Sequence, residues 1–599
     1  MELRVNADRR TQGPYAVAAT LIEALIEALA PDADDALIAA HDIEIRAVAP
    51  DLDVPVRRPE SVAARLPAAE RILIPAARRT LRIANGLAEF VRDHLVSAGP
   101  LTLYVTDLGE ADHTDREFLA VLRRRVGAPM LTIVPEAAGP YEPMTPEEHD
   151  ALAAELERGG RARPRRGAIA YHRERGEHPE LALAALMDAL EECVTEGFHH
   201  AAAELGERAL LLADPDADEA AWWRVVHRTG NALAATGRED AARALYDEGR
   251  RRSADPRNRA TAAYATAMLL TRHHDPAMRN LEEALAWINE AIAITSLLPD
   301  PRRRAFHLGF DLNGKALIEL RRGRLEEAAR LVQEAIDLAD ADLGPWEHPI
   351  HRLILRVNRA HLSAQLGDFE SALADFGAAI EADPGYPDHY IDRGNLLFRL
   401  GRDEEAVADY EDAMRAGLPF PEPYYNRAEV RFRAGEHKSA LEDLDHALEL
   451  DPDFADAYSN RAGLWVRFEE YGKARLDCQA GLALDPRNAY LLCVLGQVEE
   501  AEGRHAEARK AFEAALEHDP STAVVWASRG MFMYATGDLE AAVADLTRAL
   551  ELEETAAFRF NRALALRDLG RHRMARLDLE RAAQLDPDDD DIRHALTTL

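Results

Sequence analysis

Small and apolar positions recur at a fixed interval along the C-terminal half of the chain, with polar turns between them. From residue 353 to 587 a 34-residue pattern repeats seven times. A small residue marks each copy: Ala360, Gly394, Ala428, Ala462, Gly496, Gly530 and Ala563. Twelve residues on stands an alanine (Ala372, Ala406, Ala440, Ala474, Ala508, Ala542, Ala575), and seven beyond that another small residue, such as Ala379, Ala413 or Gly481. Small side chains in these slots let two helices and the next copy approach closely. A glycine sits between the two helical stretches (Gly367, Gly401, Gly435, Gly503, Gly537, Gly570), where a helix end calls for positive φ. The fourth copy departs from this with Glu469. Asp-Pro pairs such as Asp383-Pro384 and Asp451-Pro452 close most copies and stop the outgoing helix. The pattern predicts stacked helical hairpins.

Upstream the marks weaken. Residues 185–350 read as four irregular hairpins, signalled by Gly197, Ala202 and Ala209; by Gly230, Gly237, Ala242, Tyr246 and Gly249; by Ala267, Ala284 and Ala291; and by Ala316, Gly323, Ala328 and Ala335. Residues 1–160 read as α/β. Strands are predicted at Ile45–Ala49, Arg71–Ile74, Leu101–Thr106 and Met130–Val134, with amphipathic helices around 18–29, 78–96 and 114–126. Proline, glycine and arginine clustering over 136–166 predicts a linker. The expected organisation is an α/β domain at 1–160, a linker and first helix at 161–184, irregular repeats at 185–350 and seven regular repeats at 351–599.

The spacing of small residue, glycine, alanine and proline resembles the tetratricopeptide repeat over about 235 residues. That resemblance implies a mainly α chain, a helical-hairpin superhelix preceded by a small α/β domain. Its concave face would bind peptides or proteins and carry no catalytic group. A second resemblance lies near the N-terminus. Leu101–Asp107, followed by Glu110, is similar to the Walker B segment of large regulatory NTPases, in which a strand-end aspartate handles Mg²⁺. The matching phosphate loop would be Gly13-Pro-Tyr-Ala-Val-Ala18-Ala19-Thr20. Gly13 and Thr20 are present, but Ala19 replaces the lysine, and no lysine precedes Lys315. The polar stretch before Gly13 also departs from the buried strand such a loop should follow. The module thus reads as a degenerate nucleotide site or as a plain α/β domain.

Composition narrows the function. A net charge of −35 argues against nucleic acid as a partner. No window has the roughly 18 apolar residues of a membrane span, and the first residues do not form a secretory signal, so a cytoplasmic location is expected. Cys193, Cys478 and Cys493 lack metal-ligand spacing. His273-His274-Asp275 reads as an ordinary loop, and no metal or cofactor is expected.

Two sets of arginines differ in their expected roles. Arg359, Arg393, Arg427, Arg461, Arg529 and Arg562 precede the first small slot, and an aspartate follows each by sixteen residues: Asp375, Asp409, Asp443, Asp477, Asp545 and Asp578. The fifth copy has Leu495 and Ala511 instead. Joint presence and absence predict an ion pair between the helices of one hairpin. A second set, Arg399, Arg433 and Arg467, falls on the stripe that lines the groove in the resembled family. Asn395, Phe398, Phe432 and Tyr425 fall beside it, and together they suit an acidic peptide. The favoured expectation is a protein- or peptide-binding scaffold. The alternatives are an NTPase-type signalling regulator with the repeats as sensor, and an auxiliary subunit that presents a substrate to a separate enzyme.

Overall fold

The computed structural model describes residues 1–29, 35–50, 52, 54, 62, 79–137, 143–158, 166–344 and 346–598. The fold is mainly α, with a small sheet at the N-terminus. The chain divides into two compact units, Met1–Pro423 and Tyr424–Leu599.

Unit 1 begins with three parallel strands in the order β1 (Glu2–Asn6), β2 (Leu101–Thr106) and β3 (Leu131–Glu136). Leu103 lies opposite both Leu3 and Ile133. Leu101, Leu103 and Val105 are buried on the central strand, as the alternation of a half-covered strand requires. Around the sheet are α1 (Arg9–Gln12), α2 (Ala16–Glu27), α3 (Asp35–Ala40), α4 (Asp42–Val48), α5 (Arg79–Ala98) and α6 (His113–Arg125). Leu21, Ile22, Phe90, Val105 and Phe118 anchor a core that continues into the first hairpins through Leu190 and Trp222 and also takes in Leu418.

Three expectations for this region change. Ile45–Ala49 is not a strand, because Ile45, Ala47 and Val48 bury one face of helix α4 and Asp42 and Glu44 sit in its first turn. Strand β1 was not expected, since its five residues are half polar and pair along one edge. The expected linker contains helix α7 (Pro146–Arg158). A capping box starts it: Thr145 N–H donates to Glu148 Oε2 at 2.7 Å, and Glu148 N–H donates to Thr145 Oγ1 at 3.3 Å. The expected strand at 71–74 lies outside the described residues.

After α8 (Arg166–Arg173) unit 1 continues as hairpins: α9 (Ala182–Glu196) with α10 (His199–Leu210), α11 (Glu219–Ala235) with α12 (Glu239–Arg252), and α13 (Pro256–Arg272) with α14 (Leu281–Thr295). Next come α15 (Pro301–Arg321) with α16 (Leu325–Asp342), α17 (Pro349–Leu366) with α18 (Phe369–Ala382), and α19 (Pro387–Arg399) with α20 (Asp403–Ala416). The division between the units falls within helix Glu422–Arg433. In unit 2, helix His437–Leu450 precedes four hairpins, the first joining Ala455–Arg467 to Tyr471–Leu484 and the last joining Ala556–Asp568 to His572–Leu585.

The periodic marks act as their chemistry demands. A β-carbon on Gly394 would meet the Tyr410 ring at 2.7 Å, and one on Gly496 the Phe512 ring at 2.8 Å. The turn glycines adopt positive φ, and Glu469 is forced to the same conformation at φ 60. All six arginine–aspartate pairs form as two-pronged bonds, among them Arg393 with Asp409 at 2.6 and 2.8 Å in unit 1 and Arg461 with Asp477 at 2.7 and 2.8 Å in unit 2.

Candidate functional site: the inner face of unit 1

The first helices of successive hairpins, α9, α11, α13, α15, α17 and α19, wall a cavity of about 1630 Å³ that lies wholly within unit 1. Their inward stripes mix rings, amides and charges. Arg228 of α11 grips Glu191 of α9 through two bonds of 2.6 and 2.8 Å. Tyr246 donates its hydroxyl to Asn231 at 2.7 Å, and Asn358 of α17 donates to Asn313 of α15 at 2.8 Å. His227 stacks on Trp223, and burial pushes its imidazole down to about 4. His389 is 4% exposed, and neither ring nitrogen has a hydrogen-bond partner.

Among the described residues, one reaches the cavity from the sheet-bearing module. The Arg82 guanidinium of α5 lies 3.5 Å from Asp388 and 3.8 Å from Glu422, with its carbon 4.1 Å from the centre of the Phe420 ring. Its side chain is 12% exposed. A cation held between two carboxylates and an aromatic face is the arrangement such a buried charge needs. With Leu418 in the module's core, it ties the start of the unit to the α20 end of its hairpins.

The expected groove residues lie elsewhere. Asn395, Phe398 and Arg399 stand further along α19 than Asp392, where that helix's share of the wall ends. Asn395 accepts a hydrogen bond from Tyr410 at 2.9 Å. Tyr425, Phe432, Arg433 and Arg467 belong to unit 2. There Tyr425 donates to Glu429 at 3.2 Å, Asn460 donates to the same carboxylate at 3.5 Å, and burial raises the Glu429 carboxyl. Phe432 is half exposed, and Arg399, Arg433 and Arg467 are exposed.

At the expected nucleotide site Asp107 ends β2 in a left-handed conformation, and Glu110 pairs with Arg9 at 3.2 Å. Gly13 has φ 91, and Thr20 is exposed on α2. The N-terminus of α2 is served by two aspartates that sequence reasoning did not single out. Tyr15 N–H donates to Asp112 at 2.7 Å, and the amides of Val17 and Ala18 donate to Asp115 at 3.2 and 3.1 Å. Burial and the neighbouring Asp112 charge hold the Asp115 carboxyl well above the usual carboxylate range. Ligand atoms of Glu239, at the start of α12, and of His273 and His274, in the turn between α13 and α14, lie within 4.8 Å of one another, and Glu239 bonds His274 at 2.8 Å. Burial raises the Cys478 and Cys493 thiols to about 12 and about 11, so both behave as core residues.

Among the described residues no helix is long and apolar enough to cross a membrane. Tetratricopeptide-repeat profiles match residues 357–419, 421–454, 470–523, 493–553 and 530–590. No curated protein matches the chain. Similar solved structures include a tetratricopeptide repeat protein from Parabacteroides merdae, 20% identical, covering 41% of this chain and 97% of that one with a TM-score of 0.36. The Cut9–Hcn1 hetero-tetramer of the APC/C is 14% identical, covering 75% and 95% with a TM-score of 0.38. YrrB, described as a repeat protein with an unusual peptide-binding site, is 23% identical, covering 33% and 97% with a TM-score of 0.26. Within the span 357–590 the chain carries tetratricopeptide repeats.

Proposed function

We propose that the chain is a non-enzymatic scaffold of the cytoplasm that holds an extended peptide segment of a protein partner on the inner face of its repeats. The cavity of unit 1 carries this reading. Its volume of about 1630 Å³ exceeds the roughly 300–1,000 Å³ typical of small-molecule pockets. Its wall also presents amides, rings and charges from six consecutive first helices, which suits a ligand read along its length. The exposed Arg399 of unit 1 and, separately, the exposed Arg433 and Arg467 of unit 2 support a preference for acidic residues at their own repeats.

The alternative, a nucleotide-driven regulator, is disfavoured by the α2 terminus. Its amides already hold the carboxylates of Asp112 and Asp115, where a phosphate would have to sit. Micromolar ATP binding by the full chain, lost in Asp107→Ala, would reverse that preference. A role as an auxiliary subunit for a separate enzyme uses the same binding face.

The test is selection of random twelve-residue peptides on the full chain, followed by photo-crosslinking of the bound peptides. Crosslinks should fall on helices α9 to α19. Crosslinks confined to other surfaces would sink the reading. Arg399→Glu with Arg433→Glu should weaken acidic peptides severalfold, and unchanged affinity would retire the arginine set.

A further inference from the structure

Asp311 is a buried carboxyl group with little around it to support a charge. It stands on α15 in the wall of the cavity and is 4% exposed. Thr295 Oγ1 lies 2.7 Å from its Oδ2. The same hydroxyl lies 3.0 Å from the Ala291 carbonyl oxygen, and one hydroxyl proton serves one acceptor at a time. Among the described residues no arginine, lysine or histidine forms an ion pair with Asp311.

Three rings line the same cavity. Phe310 is 5.2 Å from Phe306 and 6.3 Å from Tyr264, centre to centre. All three are half-buried, and all three line the cavity. Burial raises the Tyr264 phenol, the Arg272 charge opposes that rise, and the Asp311 charge adds to it.

An ionised carboxylate so placed has lost its water without gaining a counter-ion, a state that costs several kcal/mol. Aromatic faces offer nothing to an anion but attract a cation. A divalent metal ion would want several oxygen ligands, which rings do not supply. An ammonium or guanidinium on a flexible stem satisfies both halves of the recess, with its charge on the carboxylate and its hydrocarbon against the rings. Elsewhere in the cavity wall the same chemistry is already filled. There the chain's own Arg82 lies between Asp388 and Glu422 against Phe420.

We propose that Asp311, with Tyr264, Phe306 and Phe310, forms a receptor for a lysine or arginine side chain of the bound segment. The proposal rests on the peptide-binding reading above. Unit 1 then has two acid-and-ring recesses on one inner face: Arg82 fills one permanently, and the other waits for a ligand's cation.

The experiment uses twelve-residue random peptides selected on the full chain and, in parallel, on Asp311→Asn. Wild-type selection should enrich lysine or arginine at one position. Replacing that residue with norleucine in a synthetic peptide should weaken binding tenfold or more. Against Asp311→Asn the same replacement should change affinity less than twofold. Phe310→Leu guards against a folding artefact: it should weaken the basic peptide severalfold and leave the norleucine peptide unchanged. Binding peptides without an enriched basic position, or a norleucine penalty equal in both proteins, overturn the inference while leaving the peptide reading intact. Failure of every peptide to bind overturns the peptide reading and this inference with it.

Discussion

The guanidinium carbon of Arg82 rests 4.1 Å from the centre of the Phe420 ring. This joins the sheet-bearing module to the chain just beyond the α20 hairpin. Arg82→Ala should lower the stability of unit 1 by roughly 1–3 kcal/mol, because it strands Asp388 and Glu422 beside an emptied space. Arg82→Lys should recover part of this, since an ammonium cannot lie flat on the ring while reaching two carboxylates. Hydrogen exchange of amides 386–422 is the measurement. Unchanged exchange in the alanine variant would assign the closure to Leu418 packing alone.

Breaking one arginine–aspartate pair should cost more than removing both partners. Asp477→Ala removes two bonds from the largely buried Arg461 and leaves it only the one to the exposed Asp445, a loss of roughly 1–3 kcal/mol. Adding Arg461→Leu copies the Leu495 and Ala511 combination of the fifth repeat and should restore more than half. Urea unfolding of the single and double variants decides this. Equal losses would show that the pair contributes through its own attraction.

Glu469 holds a left-handed conformation that its neighbours assign to glycine. Glu469→Gly should therefore stabilise the chain by roughly 0.5–1 kcal/mol, the relief of that strain less glycine's added freedom when unfolded. A melting temperature that falls instead would mean that Glu469 makes a compensating interaction.

Burial raises the Asp311 carboxyl to about 7, above its ordinary value of about 3.8. A carboxyl raised on folding favours the native state at low pH, and that advantage disappears as pH rises through the native value. Between pH 4 and pH 7 the wild type should therefore lose roughly 2–4 kcal/mol relative to Asp311→Asn. Parallel stability curves for the two proteins would place Asp311 in contact with solvent or a cation.

The regular repeats were almost fully legible in the sequence, because each mark answers one steric or electrostatic need. Gly394 must be small because Tyr410 lies against it, and Arg393 must accompany Asp409 because neither can be buried alone. The N-terminal region was less so. The short polar β1 is defined by its partner β2, and Ile45–Val48 carries an apolar run that serves a helix as well as a strand. The cavity was missed because four of its six wall helices belong to the weakly marked hairpins. Phe306, Phe310 and Asp311 belong to no periodic slot, and a carboxylate's burial cannot be seen until distant helices are stacked. A signal was available in the rings spaced four apart on α15, next to an acid.

Leu495 and Ala511 make the fifth regular hairpin unlike its neighbours, and this bears on how the array is assembled. Near-identical hairpins emerging in succession can dock on the wrong neighbour and form out-of-order stacks. Each arginine–aspartate pair closes within its own hairpin, so every paired hairpin carries its charge balance with it wherever it docks. The hairpin that carries Leu495 and Ala511 has no such pair, and it differs from its neighbours by the hydrocarbon it presents at those two positions.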